Sequence, residues 1–311
     1  MILEVLLRSL IPILLLTLVG FFTRAINIFR QGDERVFAAY VFYLALPALF
    51  FVNMSELVIQ RSTVIYMIAT AMPPIVLTIL YFLICLIFRV KKEHFYFLIF
   101  STVFGSYAFF GIPFMLFAFP GLKPEALSVL SSASISIVGV FLTIFVLELY
   151  SMNSKSYIGA ISLLAKKFLK NPLILSILLG ILCSLSNISI PQFLSSSLHM
   201  LGSTTATVSL FMLGLFLYGR KYESFPLAFI LTFLRAFLMP LVAVISMNIF
   251  GIQGLPATIS ILMAAMPVAI SMIVLSERYD FFKEQTATLT LVSTLSSVIY
   301  LPLWIIFLGT R

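Results

Sequence analysis

The sequence predicts an all-α integral membrane protein with ten transmembrane helices, arranged as two inverted five-helix repeats in which helices 4 and 9 are broken. Three observations lead to this fold class. The composition is too apolar for a soluble domain, and the charged residues divide the chain into helix-length apolar segments. Two of those segments carry glycine or proline where a continuous helix would be expected.

Hydrophobic residues make up 62% of the 311 residues, charged residues only 10%, and the mean hydropathy is +1.17. A soluble domain carries roughly a quarter charged residues, so this chain belongs in a lipid bilayer. The net charge of +8 reflects loop topology and does not indicate a nucleic-acid partner. Cys85 and Cys183 lie isolated in apolar runs, so we expect no disulfide framework, no metal site and no cofactor.

Charged residues separate the predicted spans. The first apolar run lacks a small-residue cleavage pattern and is interpreted as a retained span rather than a signal peptide. The long runs 171–219 and 224–276 are each divided at a cluster of turn residues into two spans. The uncharged runs are 9–23, 36–55, 62–88, 95–122, 126–147, 171–219 and 285–310, and the run 224–276 is interrupted only by Arg235.

The Lys and Arg residues predict the orientation. Ten crossings place both termini on one side of the membrane. Fourteen cations fall in loops after odd-numbered spans, against four on the opposite side. By the positive-inside rule the odd loops are cytoplasmic, so we expect a multi-pass cell-membrane protein with both termini extracytoplasmic.

A weak internal similarity supports the repeat. A shift of 160 residues superposes Pro12 on Pro172 and Gly20 on Gly180. Because five crossings separate the copies, the second copy is inserted upside down. The predicted divisions are a first five-helix repeat at 1–150, a cytoplasmic connector at 151–170 and a second, inverted repeat at 171–311. The alternative is that apolar sequences match by chance.

The two interrupted segments are the predicted site. The stretch 101–120 contains Gly105, Gly111 and Pro113, and the stretch 262–275 contains Pro267. An unwound turn at membrane depth survives only where protein or a water-filled cavity surrounds it, and it leaves helix N-termini that suit an anion. We expect the two breaks to meet near the bilayer midplane. Gly111 and Pro113 would otherwise merely kink a helix.

Seven sequence motifs resemble the auxin efflux carrier family, which includes plant auxin carriers and bacterial malate and malonate permeases. The resemblance implies the ten-span inverted repeat of the sodium–bile acid symporter type, with a scaffold domain, a mobile transport domain, two crossing broken helices and elevator-type transport. Because plant members are dimers that export a weak organic acid, it also implies a homodimer. The motifs are VFYLALPALFF (41–51), GSYAFFGIP (105–113), NPLILSILLG (171–180), LFMLGLFL (210–217), LRAFLMPL (234–241), AAMPVAISMIVLSERY (264–279) and STLSSVIYLPLW (293–304).

The sequence departs from the family pattern at the breaks. Ser106 and Ser271 stand where many members have asparagine. A hydroxyl and an amide offer different donors and acceptors, so substrate identity does not transfer from other members. We interpret Ser106, Tyr107 and Ser271 as substrate-binding residues. The alternative is that they only satisfy backbone groups freed by the breaks.

Two further polar side chains lie inside predicted spans. Asn53 needs hydrogen-bond partners in an apolar setting and is assigned to the substrate pocket. Arg235 lies well inside the eighth span, where insertion of a cation costs roughly 2.5–3.5 kcal/mol. It is assigned a structural role, either an ion pair with Glu148 or capping of carbonyls released by a broken helix, in preference to direct substrate binding. Snorkelling to the membrane surface is a further alternative.

We interpret the chain as a secondary transporter of a small organic anion, such as an auxin-like weak acid or a dicarboxylate like malate or malonate. The alternative is a membrane receptor or sensor that binds such a ligand without net transport. No enzyme is expected, because the spans hold no histidine, paired carboxylates or metal-ligand spacing. Since no Asp or Glu lies mid-span, we expect movement driven by the membrane potential alone, or ion sites built from carbonyls and hydroxyls.

Overall fold

The computed structural model describes residues 2–122, 124–151 and 170–309. The predicted connector 151–170, with its cations Lys155, Lys166 and Lys167, lies almost entirely outside the described residues. Within them the chain is helical, with thirteen α-helices, two π-helical turns and no strand. The helices are α1 (Ile2–Ala25), α2 (Glu34–Tyr40), α3 (Leu46–Ser55), α4 (Arg61–Ile87), α5 (Lys92–Val103), α6 (Ile112–Ala118), α7 (Glu125–Ser151), α8 (Pro172–Leu185), α9 (Gln192–Leu217), α10 (Phe225–Ile249), α11 (Gly254–Ala264), α12 (Ser271–Tyr279) and α13 (Lys283–Leu308).

Among the described residues, six helices are long and apolar enough to cross a bilayer. The shorter apolar helical segments there are Ile11–Ala25, Tyr107–Ala118, Pro172–Leu185 and Gly254–Ala264. The π-helical turn Val41–Ala45 joins α2 to α3 into the first of the six, Glu34–Ser55. The others are α4, α7, α9, α10 and α13. This architecture is that of a multi-pass membrane protein, as predicted. Ten crossings and their inverted repeat stay a prediction.

The first interruption lies between α5 and α6. Helix α5 ends at Val103, residues 104–106 are not helical, and the π-helical turn Tyr107–Gly111 leads into α6. The interruption is therefore centred on Gly105, which is one of the three residues named from the sequence. Pro113 lies in the first turn of α6. Proline is tolerated there because the first N–H groups of a helix have no intrahelical acceptor.

The second interruption lies between α11 and α12. Helix α11 ends at Ala264, and its last turn closes with bonds from the amide of Ala265 to the carbonyls of Ile261 and Leu262, both 3.1 Å. Helix α12 begins at Ser271. Pro267 lies between them, where the sequence placed the break.

The first of two compact units contains Met1–Val64, Ala108–Ala133 and Leu169–Arg220. Its helices α1 and α9 approach closely because both carry glycine at the contact. A Cβ atom on Gly20 would overlap the carbonyl oxygen of Phe211, and one on Gly214 would overlap that of Thr17. Small residues of this kind permit backbone-to-backbone packing of membrane helices.

The second unit contains Ile65–Tyr107, Ser134–Phe168 and Lys221–Arg311. Its core is an apolar cluster in which Phe97 and Phe100 of α5 pack with Val268, Met272 and Phe281. Each unit contains segments of both predicted repeats. The units are defined by contacts between residues in space, whereas the repeats are defined by similarity along the sequence. The predicted divisions 1–150 and 171–311 stay a prediction.

Candidate substrate-binding site

The two interruptions pair with each other in the second unit. Gly105 and Val268 form an antiparallel bridge. The amide of Ser106 donates to the carbonyl of Pro267 at 2.8 Å, and the amide of Ala269 donates to the carbonyl of Phe104 at 3.4 Å. We call residues 104–106 and 267–269 the paired breaks. They satisfy each other's backbone groups, which is the condition for unwound chain at membrane depth.

Helix α13 also contributes to the paired breaks. The amide of Val268 donates to the hydroxyl of Ser293 at 3.2 Å, and that hydroxyl donates to the carbonyl of Thr290 at 3.2 Å. Ser293 is fully buried. Its side chain thus holds the second break against α13.

Arg235 of α10 joins both breaks through its guanidinium. Its Nε donates to the carbonyl of Met266 at 2.8 Å, and its Nη1 donates to the carbonyl of Thr102. Its Nη2 donates to the Tyr107 hydroxyl at 3.3 Å. These carbonyls lie at or just beyond the C-terminal ends of α11 and α5, where a cation also complements the helix dipole. Among the described residues, the guanidinium thus bonds to carbonyls at the ends of two helices.

These hydrogen bonds offset the free-energy cost of burying the Arg235 side chain. The side chain is 1% exposed, in a setting where insertion of a cation costs roughly 2.5–3.5 kcal/mol. A hydrogen bond to a charged group contributes about 1.5–3 kcal/mol, so three such bonds offset the insertion cost. Removal of the side chain would leave carbonyls of both breaks without this donor.

Tyr107 lies beside Arg235 at the start of the π-helical turn. Its ring centroid is 5.7 Å from the guanidinium carbon, within the range of a cation–π interaction. Its hydroxyl donates to the carbonyl of Val103 at 3.0 Å while it accepts from Arg235. The hydroxyl therefore fixes both the end of α5 and the guanidinium.

The hydroxyl of Ser106 is a buried polar group with an open hydrogen-bonding capacity. Ser106 is 3% exposed, and its Oγ has no hydrogen-bond partner within the described part of the chain. An unsatisfied buried hydroxyl costs about 1–3 kcal/mol. The Ser106 hydroxyl therefore keeps a donor and an acceptor that no described residue uses.

The chain matches the family described as membrane transport protein over residues 5–305. It belongs to this family. An uncharacterized transporter of Methanocaldococcus jannaschii is 24% identical over 309 residues, which cover 94% of this chain and 95% of the relative. The uncharacterized transporter YfdV of Escherichia coli is 25% identical over 311 residues, 96% of each chain. The predicted resemblance to the auxin efflux carrier family is confirmed, and a membrane transport protein is not expected to be an enzyme.

The other residues assigned from sequence to the site of this membrane transport protein are distributed over the two units. Ser271, half-buried at the start of α12, belongs to the second unit together with Pro267. Asn53, Gly111 and Pro113 belong to the first unit. Their role in substrate binding stays a prediction.

Asn53 finds hydrogen-bond partners within its own unit. Its side-chain amide donates to the carbonyl of Leu49 at 3.0 Å and to Glu125 Oε1 at 3.4 Å.

Pro113 affects the hydrogen bonding of a carbonyl in the same unit. Because proline has no N–H, the carbonyl of Phe109 four residues earlier receives no bond from it, and Ser209 of α9 donates to that carbonyl at 2.9 Å.

The predicted pair of Arg235 with Glu148 is not the arrangement found. The partners of Arg235 among the described residues are Thr102, Met266 and Tyr107, whereas Glu148 Oε1 accepts from the Tyr279 hydroxyl at 2.6 Å. The sequence offered this pair and the capping of carbonyls as two structural roles for Arg235. Carbonyls at the breaks lie within reach of the guanidinium and accept hydrogen bonds from its N–H groups instead.

Sequence reasoning named Gly105 only as one of three interrupting residues and missed Ser293, although both residues shape the paired breaks. Gly105 has no room for a side chain, since a Cβ atom there would lie 2.8 Å from Tyr107 Cε1 and overlap Arg235 Nη2. Ser293 supplies the hydroxyl that caps Val268. Both lie inside family-like motifs, which was the available signal.

Proposed function

We propose that this protein is a secondary transporter that carries a small organic anion by elevator-type alternating access, with the paired breaks as part of its binding site. One observation supports this most strongly. Two interrupted helices meet in one unit, where Arg235 of α10 is a buried cation bonded to carbonyls beside both breaks, and where the buried hydroxyl of Ser106 has no partner in the described part of the chain. Interrupted helices that meet at the substrate are typical of secondary transporters.

The chemistry of the paired breaks favours an anion. Arg235 brings a positive charge, and Ser106 and Tyr107 bring hydroxyls, while the described neighbours of the guanidinium include no carboxylate. Carboxylates suit such a set of donors, and the auxin-like weak acids and dicarboxylates of the family carry them.

The division into two units supports alternating access in which one unit carries the site. The second unit contains both interruptions, Arg235 and Ser293. A unit that holds its site through its own hydrogen bonds keeps that site intact when it moves as a body. This is what an elevator mechanism requires of a transport domain.

We further propose a homodimer in the cell membrane with both termini extracytoplasmic. The cation bias of the loops supports the orientation, and the family resemblance supports the dimer. Proteolysis of a C-terminal tag on intact cells, but not inside inverted vesicles, is the expected result. Mass determination of the purified protein in a lipid nanodisc tests the dimer.

Uptake into proteoliposomes separates the transporter from a receptor that uses the same site. We expect saturable counterflow of at least one labelled acid from a panel of indole-3-acetate, benzoate and malonate. Empty liposomes and liposomes with heat-denatured protein are the controls. Saturable binding of an acid with no counterflow under any imposed gradient would establish the receptor instead.

A further inference from the structure

We propose, on the basis of the transport function above, that Arg235 gives the empty binding site one unneutralised positive charge. The site then takes ligands that present a single negative charge, and the loaded site is electrically neutral. The membrane potential therefore acts on the return of the empty site and not on the movement of the loaded site.

The first step is the set of partners of Arg235. Two are backbone carbonyls and the third is a phenol hydroxyl, so all three are neutral. No carboxylate forms an ion pair with this side chain in the described ranges. These partners use three of its five N–H donors, so two donors have no acceptor among the described residues, and a carboxylate is the group that accepts two donors from one guanidinium.

The second step is the position of the acidic residues of the same unit. Arg235 is the eleventh residue of α10, about 15 Å from the start of that helix. The acidic residues lie in the first or last turn of a helix or just outside one. They are Glu93, Glu148, Glu223, Glu277, Asp280 and Glu284.

The third step is electrostatic. Charges buried away from water are screened weakly, so a guanidinium that is 1% exposed attracts one counter-charge strongly. A neutral ligand leaves the positive charge uncompensated, and a dianion leaves a net negative charge. A ligand with one carboxylate cancels the positive charge of Arg235.

The wild-type protein tests the charge assignment directly. Proteoliposomes receive a panel of indole-3-acetate, benzoate and malonate, and potassium with valinomycin sets the membrane potential. We expect homoexchange of the monocarboxylates, which moves only loaded sites, to be insensitive to potential. Net efflux of the same acids, which includes the empty return, should accelerate several-fold when the inside is negative.

This experiment distinguishes a wrong charge assignment from a wrong transport function. If homoexchange responds to the potential as strongly as net efflux does, the charge assignment is wrong while the transporter stands. If no acid of the panel exchanges at all, the proposed function is wrong and the charge assignment with it.

Variants test Arg235 itself through binding of indole-3-acetate and its neutral isostere indole-3-acetamide. We expect Arg235→Gln to lose at least tenfold of the preference for the acid, while Arg235→Lys, which keeps the charge but not the planar fork, retains most of it. Arg278→Gln removes an exposed cation from the same unit and should keep the full preference. Equal weakening of acid and amide in Arg235→Gln, with the preference unchanged, would assign Arg235 a purely structural role.

Discussion

The guanidinium of Arg235 occupies the space that a Cβ atom on Gly105 would need. The two residues are 130 positions apart in sequence, and the glycine allows the cation to reach the carbonyls of Thr102 and Met266. The unwound segment and the buried charge therefore depend on each other.

Gly105→Ala should displace the guanidinium and weaken substrate binding. The added methyl would overlap Nη2 of Arg235 and lie 2.8 Å from Tyr107 Cε1, both in a fully buried site. Overpacking of this kind typically costs about 1–3 kcal/mol, so the melting temperature should fall by several degrees. Thermal unfolding and acid binding of the purified variant measure both effects.

Gly121→Ala is the matched control, because a Cβ atom there meets no atom within 4 Å. It should match the wild type in stability and binding. If Gly105→Ala behaves like this control, the guanidinium does not depend on the glycine.

Ser106→Ala should weaken acid binding without a loss of stability. The hydroxyl has no partner in the described part of the chain, so its removal breaks no hydrogen bond and relieves an unsatisfied buried group. Calorimetric titration with an acid that the wild type exchanges measures the affinity. Thr232→Val removes another unpartnered buried hydroxyl of the same unit and should leave the affinity unchanged. A wild-type affinity in Ser106→Ala would mean that this hydroxyl does not contact the ligand.

Gly214→Ala should destabilise the first unit. Its Cβ atom would overlap the carbonyl oxygen of Thr17 and lie 2.6 Å from the amide nitrogen of Phe21, so α1 and α9 would have to separate. We expect a loss of about 1–3 kcal/mol, seen as a lower melting temperature with acid affinity retained in the protein that remains folded. An unchanged melting temperature would show that the helices can separate at no cost.

Transport should not follow a sodium or proton gradient when the membrane potential is clamped. Within the described ranges no carboxylate is bonded to Arg235, and the acidic residues of the second unit lie in terminal turns of helices or beside them. Efflux of a labelled acid is measured with the donor-side pH fixed, so that the ionisation of the acid stays constant. Accumulation against the acid gradient, driven by sodium or protons alone, would require a coupling site.

Much of the helical architecture follows from local sequence. The run 62–88 predicts α4 at Arg61–Ile87 almost to the residue, because a charged residue seldom lies mid-span and a span needs about twenty apolar residues. The interruption at Pro267 was predicted for the same local reason, since proline removes a helical hydrogen bond.

The first interruption shows what local sequence does not contain. Pro113 looked like its centre, yet proline fits the first turn of a helix, and the unwound residues surround Gly105 instead. The reason is a tertiary contact with Arg235, which no local pattern reveals. The same holds for the choice between Glu148 and carbonyls as partners of Arg235, because it depends on which groups the folded chain brings within reach.

Pro267→Ala tests the central claim most directly. Alanine would supply an N–H that can bond to the carbonyl of Met263 and would relieve roughly 3 kcal/mol of helix penalty, so α11 should extend. The carbonyl of residue 267 would then lose its hydrogen bond from the amide of Ser106, which is 2.8 Å long in the wild type.

The measurement is counterflow of a labelled acid in proteoliposomes, with wild type and Pro267→Ala at equal incorporation. We predict saturable counterflow by the wild type and at least a tenfold weaker apparent affinity in a monodisperse Pro267→Ala protein. Wild-type affinity in Pro267→Ala and Ser106→Ala alike, with both proteins folded, would contradict a substrate site at the paired breaks.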